Sequence, residues 1–231
     1  MQAANAVIAH NQNRLEKNVW TANPEGHKII LHRSPTDGEE GRYVAGDIFE
    51  RAMQTQQGYE NYAILYRTNA QSRAMEDALR KRNIPYRVYG GVSFYQRKEI
   101  KDVLAYLRLL INPSDEESLK RIINYPMRGI GQTTINKLIV AAKTHDCTLY
   151  QVLEKVQELP LNINAGTRTK LQDFYTLMES IKTQLTSLDA FELADMVTKK
   201  VGLVSVLKKE GTPEAVTRIE NIEELLNGIK D

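Results

Sequence analysis

The sequence predicts a mixed fold, an α/β portion followed by an all-helical one. Three observations carry this. Up to Tyr89, short apolar runs of strand length alternate with stretches of helical spacing. Beyond Tyr89 no convincing strand pattern appears. From Pro113 onward apolar residues recur about every 3.6 positions almost throughout. The 231 residues suffice for one large domain or two modest ones, and either buries a real core.

The elements follow in order. Residues 3–11 have helical spacing, and 28–32 form a short apolar run rich in isoleucine that reads as a strand. Residues 37–53 are helical, with Tyr43, Val44, Ile48, Phe49 and Ala52 in register. Residues 62–66 are apolar nearly throughout, as in a strand covered on both faces. Asn69 then stands where an N-cap belongs, and Ala70, Met75, Ala78 and Leu79 mark the helix behind it. Pro85 stops that helix, and residues 86–89 read as a further strand. Strand, helix, strand in this order implies βαβ units and a parallel sheet. Residues 99–111 are strongly helical and end at Asn112-Pro113. Helical spacing then covers about 116–124, 132–144, 148–157, 166–186, 189–200, 203–209 and 213–229. The chain therefore divides near residue 112.

Charge and composition narrow the function. The 31 basic and 29 acidic residues leave a net charge of +2, which does not by itself announce a nucleic-acid binder. Residues 65–108, however, hold ten Lys/Arg against four Asp/Glu, a local excess of +6. The single cysteine, Cys147, excludes an internal disulfide and fits a reducing cytoplasm. No apolar run approaches the roughly 20 residues that span a bilayer. The N-terminus lacks the basic stretch of a signal peptide and reads like the middle of an amphipathic helix, which implies a start inside a larger protein.

Several chemistries are missing. No glycine is followed by lysine, so there is no phosphate loop. Asp115-Glu116-Glu117 follows Asn112-Pro113-Ser114 rather than a buried strand, and reads as the acidic first turn of a helix. His10, His27, His32 and His145 have no metal-ligand spacing. No catalytic residue and no metal site is assigned.

Three constellations carry function. The first is Tyr66-Arg67-Thr68-Asn69-Ala70-Gln71-Ser72-Arg73, at the C-terminal end of the expected strand and the start of a helix, where phosphate is favoured. The alternative is that Asn69 only caps the helix and Arg67 pairs with an acid. The second is residues 86–101, where basic residues interleave with Tyr89, Phe94 and Tyr95 around Gly90-Gly91, a lining suited to single strands. The alternative is core aromatics and a plain turn. The third is residues 125–138, in which Arg128-Gly129-Ile130-Gly131 joins two helices. This helix-hairpin-helix-like element offers amides to a DNA phosphate, with Thr133, Thr134 and Lys137 adding side chains. Its alternative is a purely structural hairpin.

Taken in order, these segments resemble the UvrD/PcrA/Rep family of superfamily 1 DNA helicases. The resemblance rests on residues 63–73, on Ile84-Pro85-Tyr86 with Tyr89-Gly90-Gly91 and Phe94, on residues 97–102 and 105–109, and on residues 121–126 with 128–131. Ala3-Ala4-Asn5 and Trp20-Thr21 also fit. It implies that residues 1–112 are the first part of the second RecA-like domain, 2A, with a partial parallel sheet. Residues 113–231 are implied to be the helical 2B insertion, incomplete at its C-terminus.

The resemblance further implies an ATP-dependent 3′→5′ DNA helicase or translocase, bacterial, cytoplasmic and nucleoid-associated, acting in repair or replication. Arg67 and Asn69 match positions that contact single-stranded DNA, and Arg73, Gly90, Gly91, Phe94, Arg97 and Lys101 are assigned to the same side. Gly129, Ile130, Gly131 and Thr134 match positions that touch the duplex, with Arg128, Thr133 and Lys137 beside them. Relatives can carry a base before the hairpin arginine, whereas this chain has Met127. Single-stranded and forked duplex DNA are the implied partners, together with a first RecA-like domain of the parent chain; no membrane is involved. ATP and Mg²⁺ are implied for a full-length protein, and neither is expected in this chain, which is read as an internal fragment without hydrolysis of its own. Two other readings stay open: a free-standing DNA-binding or interaction module, and an inactive helicase-like domain of a helicase–nuclease complex.

Overall fold

The computed structural model describes residues 1–11, 19–89 and 91–230, and the chain divides into two units, Met1–Arg33 and Ser34–Asp231. In the first unit, α1 (Gln2–Ile8) buries none of its residues. The Asn5 side chain exchanges two hydrogen bonds with the Val19 backbone, at 2.9 and 3.0 Å. Residues 28–32 form no strand, and Leu31 is 95% exposed.

The second unit is built from helices whose starts are written in the sequence. The Thr36 hydroxyl accepts from the Glu39 amide at 3.2 Å to begin α2 (Asp37–Thr55), and Asp37, Glu39 and Glu40 suit the positive end of the helix dipole. This helix lies against α3 (Ser72–Lys81). A Cβ added at Gly41 would stand 2.5 Å from the Ala74 carbonyl oxygen, so only glycine permits this approach. Ala45, Ala78, Leu79 and Ile84 form the small core beneath.

The main core is one cluster running from Phe94 to Leu226. It joins α4 (Lys98–Ile111), α5 (Glu116–Ile122), α6 (Gln132–Thr144), α7 (Leu149–Glu154), α8 (Ala165–Lys182), α9 (Ala190–Lys200), α10 (Leu203–Glu210) and α11 (Pro213–Lys230). Asp115, Thr148, Asn164 and Asp189 cap the helices they precede, each side chain accepting from the amide three residues on. The core crosses residue 112, because Ile100, Val103, Tyr106 and Leu109 of α4 are buried and α4 packs on α5, α9 and α11.

The last helix returns to α3. Arg73 pairs with Glu224 at 2.7 Å, and Asn221 accepts from Arg97 at 2.8 Å while donating to Glu99 at 2.6 Å.

The expected α/β class is corrected by the structure: among the described residues there is no strand and no parallel sheet, RecA-like or otherwise. The helical elements appear where the spacing puts them. A strand requires a neighbour to bond its backbone amides and carbonyls, whereas the apolar β-branched pattern records only side-chain preference. Residues 62–66 and 84–89 instead flank a cleft of about 870 Å³. Leu65 is at its rim, 94% exposed. Among the described residues no helix is long and apolar enough to cross a membrane.

Asp102 on α4 is a buried acid beside this core. Its side chain is 3% exposed, Oδ1 accepts from Arg121 at 2.7 Å, and Oδ2 has no hydrogen-bond partner among the described residues. Burial raises its pKa above the ordinary value, against the opposing pull of Arg121. A carboxyl whose folded pKa is raised contributes most below the unfolded value, and that contribution is lost as pH rises through the folded pKa. We expect the stability of the parent relative to Asp102→Asn to fall as pH rises above about 3.9. Urea denaturation of both proteins across that range checks this, and an unchanged difference contradicts it.

Candidate nucleic-acid interface

The hairpin between α5 and α6 is assembled from within. The Asn124 carboxamide oxygen accepts from the Arg128 amide at 3.0 Å and the Ile130 amide at 2.9 Å, closing the turn on itself. Ile130 is fully buried and plugs the hairpin into the core. Gly129 takes φ +72°, a left-handed backbone that suits glycine.

Arg128 points inward. Its Nη1 donates to the Ile122 carbonyl at 3.0 Å and the Pro126 carbonyl at 3.3 Å, and its Nη2 to the Tyr106 hydroxyl at 2.8 Å. The guanidinium stands 5.1 Å from the Phe174 ring centroid. A cation at the carbonyl end of α5 also meets the negative end of its dipole. Tyr106 is fully buried and donates to the Tyr125 carbonyl at 2.5 Å. Burial pushes its hydroxyl up to about 12, with Arg128 pulling the other way.

The far side of the hairpin is open. Gly131 caps α6 without a side-chain bond, and a Cβ placed on it would meet nothing within 4 Å. The Thr134 and Ile135 amides bond back to the Gly131 carbonyl, at 3.0 and 3.2 Å. Those of Gly131, Gln132 and Thr133 precede them, and these three residues are exposed. Thr134 and Lys137 are half-buried on the same helix, and Lys137 Nζ donates to the Asn162 carbonyl. A helix start of this kind, with free amides and a positive dipole end, suits a phosphate.

The residues assigned to single strands separate into two groups. Arg67 and Asn69 are exposed at the end of residues 62–66. The Gln71 side chain accepts from the Arg67 and Thr68 amides at 2.9 and 3.0 Å, making Thr68 rather than Asn69 the cap of the 3-10 turn Asn69–Gln71. A Cβ at Gly91 would stand 3.9 Å from Asn69 Oδ1, so the first two constellations meet here. Tyr66, Asn69 and Tyr89 line the same cleft, and Tyr89 is exposed. Gly90 lies outside the described residues.

The second group faces inward. Phe94 is fully buried in the main core, so its ring is closed to a base. Arg97 donates to Asn221, to Ser72 Oγ at 2.8 Å and to the Asn69 carbonyl at 3.0 Å, and burial lowers its pKa. Arg73 is buried; burial works against its charge, but Glu224, Asp37 and Asp77 outweigh it and hold the pKa above its ordinary value. Lys101 is half-buried on α4. Arg73 and Arg97 position the α3–α11 junction, and Arg97 fixes the backbone beneath Asn69.

Sequence reasoning missed Asn124 and Lys170. The first left only a polar residue between helices as its signal. The second lies on α8, where a Cβ on Gly129 would fall 2.6 Å from its Nζ.

With this geometry in hand, the comparisons are direct. The family described as UvrD-like helicase C-terminal domain matches residues 1–231, and the chain belongs to that family. The chain is 39% identical over 231 residues to the ATP-dependent DNA helicase PcrA of Bacillus subtilis (strain 168). It is 38% identical to the protein of that name from Staphylococcus aureus (strain Mu50) and 35% to that of Leuconostoc citreum. Each match takes in 100% of this chain, and the chain spans 31% of the length of these curated relatives.

The inward placement of Phe94 has a measurable consequence. Phe94→Ala is expected to cost about 3–5 kcal/mol of stability through the cavity it leaves. Chemical denaturation measures this, and a loss below about 1 kcal/mol contradicts the core assignment.

Proposed function

We propose that this chain is a DNA-gripping part of an ATP-dependent helicase or translocase that moves 3′→5′ and unwinds duplex DNA in repair or replication, in the bacterial cytoplasm at the nucleoid. Family membership and the names of its relatives support the motor. The observation that carries the DNA contact is the hairpin, whose only arginine is turned inward while the open start of α6 faces out. Amides of residues 131–133, with Thr133, Thr134 and Lys137, hold a duplex phosphate without reading bases. Arg67 and Asn69 take the single strand, and Tyr66 and Tyr89 offer ring faces beside them.

The chain's own residues do not fit an ATP–Mg²⁺ site. No glycine is followed by lysine, and among the described residues no three His, Cys, Asp or Glu side chains gather to hold a metal. We place ATP and Mg²⁺ in the rest of a longer protein, together with a first RecA-like domain.

Two variants separate grip from fold. Thr133→Glu puts a carboxylate at a helix start that favours it, so stability is kept or slightly raised while a phosphate is repelled. We expect about tenfold weaker binding of forked DNA, about 1.4 kcal/mol, with the melting temperature unchanged. Arg67→Ala with Asn69→Ala is expected to weaken single-strand binding by a similar factor. Fluorescence anisotropy with forked and single-stranded oligonucleotides reads both. Unchanged affinities in both variants contradict the assignment, and nucleotide-dependent unwinding by a full-length protein tests the motor.

A further inference from the structure

The hairpin's exposed surface carries no charge of its own. Met127 is 89% exposed and neutral, Gly129 and Gly131 have no side chains, and the Arg128 guanidinium is consumed by carbonyls, Tyr106 and Phe174. A cation reaches Gly129 from another helix. Lys170 and Phe174 lie four residues apart on α8 and share one face of it. Phe174 is buried beneath Arg128, and Lys170, exposed, reaches to where a Gly129 Cβ would be, 2.6 Å from its Nζ. Among the described residues no carboxylate pairs with this ammonium.

Its position is held from below. Arg168 donates to the carbonyls of Val156, of Leu159 at 3.2 Å and of Leu161 at 3.2 Å, and Leu171 is fully buried. The α8 backbone is thereby fixed against the segment after α7, and Cδ, Cε and Nζ of the lysine lie 3.9, 3.6 and 2.6 Å from where a Gly129 Cβ would be. Gly129 is suited to its left-handed φ, and the ammonium lies beside it.

We propose that Lys170 is a duplex-phosphate contact of this interface, supplying from α8 the positive charge that the hairpin lacks. This rests on the reading of the hairpin as a duplex grip. A phosphate seated on the open amides of α6 has the ammonium as its lateral counter-charge. A helix distant in sequence then takes part in the grip, and α8 and the hairpin engage DNA as one body.

The test is anisotropy of the chain with a forked duplex and with a single strand, titrated in salt. Lys170→Gln is expected to weaken fork binding about three- to tenfold at low salt and to lower the salt slope by about 0.9, the release of one counterion. Single-strand binding and thermal midpoint stay unchanged, and Lys170→Arg restores both affinity and slope. If Lys170→Gln leaves fork affinity and slope intact while Thr133→Glu weakens the fork, Lys170 is no contact and the hairpin reading stands. If the unaltered chain does not bind the fork, or neither variant matters, the hairpin reading falls and this inference with it. An equal loss on single strands overturns the assignment to duplex.

Discussion

The inward turn of one guanidinium governs the candidate duplex interface. Arg128 closes the carbonyl end of α5, stacks on Phe174 and donates to the buried Tyr106 hydroxyl, so it ties α4, α5 and α8 to the hairpin at one point. An arginine spent this way contributes shape instead of charge. With Asn124 holding the turn and Ile130 plugged beneath it, the backbone past Gly129 has one course, and that course leaves the start of α6 facing solvent.

A backbone-based grip has a functional logic. Amides and a dipole end recognise any phosphate equally, so the proposed contact is indifferent to base sequence. The single-strand side follows the same economy. Arg97 and Arg73 are the most engaged cations there, yet they brace the α3–α11 junction and leave Arg67 and Asn69 outward. In both places an engaged arginine fixes geometry and a neighbouring group is left exposed.

Much of this was legible in the sequence. Helix positions followed from 3.6-residue spacing, with Asp115-Glu116-Glu117 marking the acidic first turn of α5, all local signals. The hairpin was visible as Gly129-Ile130-Gly131, because a left-handed turn and an open approach both call for glycine. The sheet was not legible correctly. Residues 62–66 have a strand's composition, but pairing depends on a neighbour, which composition does not encode. The directions of Phe94, Arg97 and Arg128 were equally hidden. A phenylalanine among basic residues looks the same whether it stacks on a base or fills a core; only Asn221, Phe174 and Tyr106, distant in sequence, decide. Lys170 was missed for the same reason, since its link to Gly129 spans two intervening helices.

The central claim is that inward contacts hold the hairpin so that the open start of α6 meets duplex phosphate. Amide-resolved NMR of the chain titrated with a short blunt duplex measures it most directly. The account predicts that the largest shifts fall on Gly131, Gln132 and Thr133, with the Asn124 and Ile130 signals little changed. Shifts spread over α9 and α10 with residues 129–134 unmoved would contradict it.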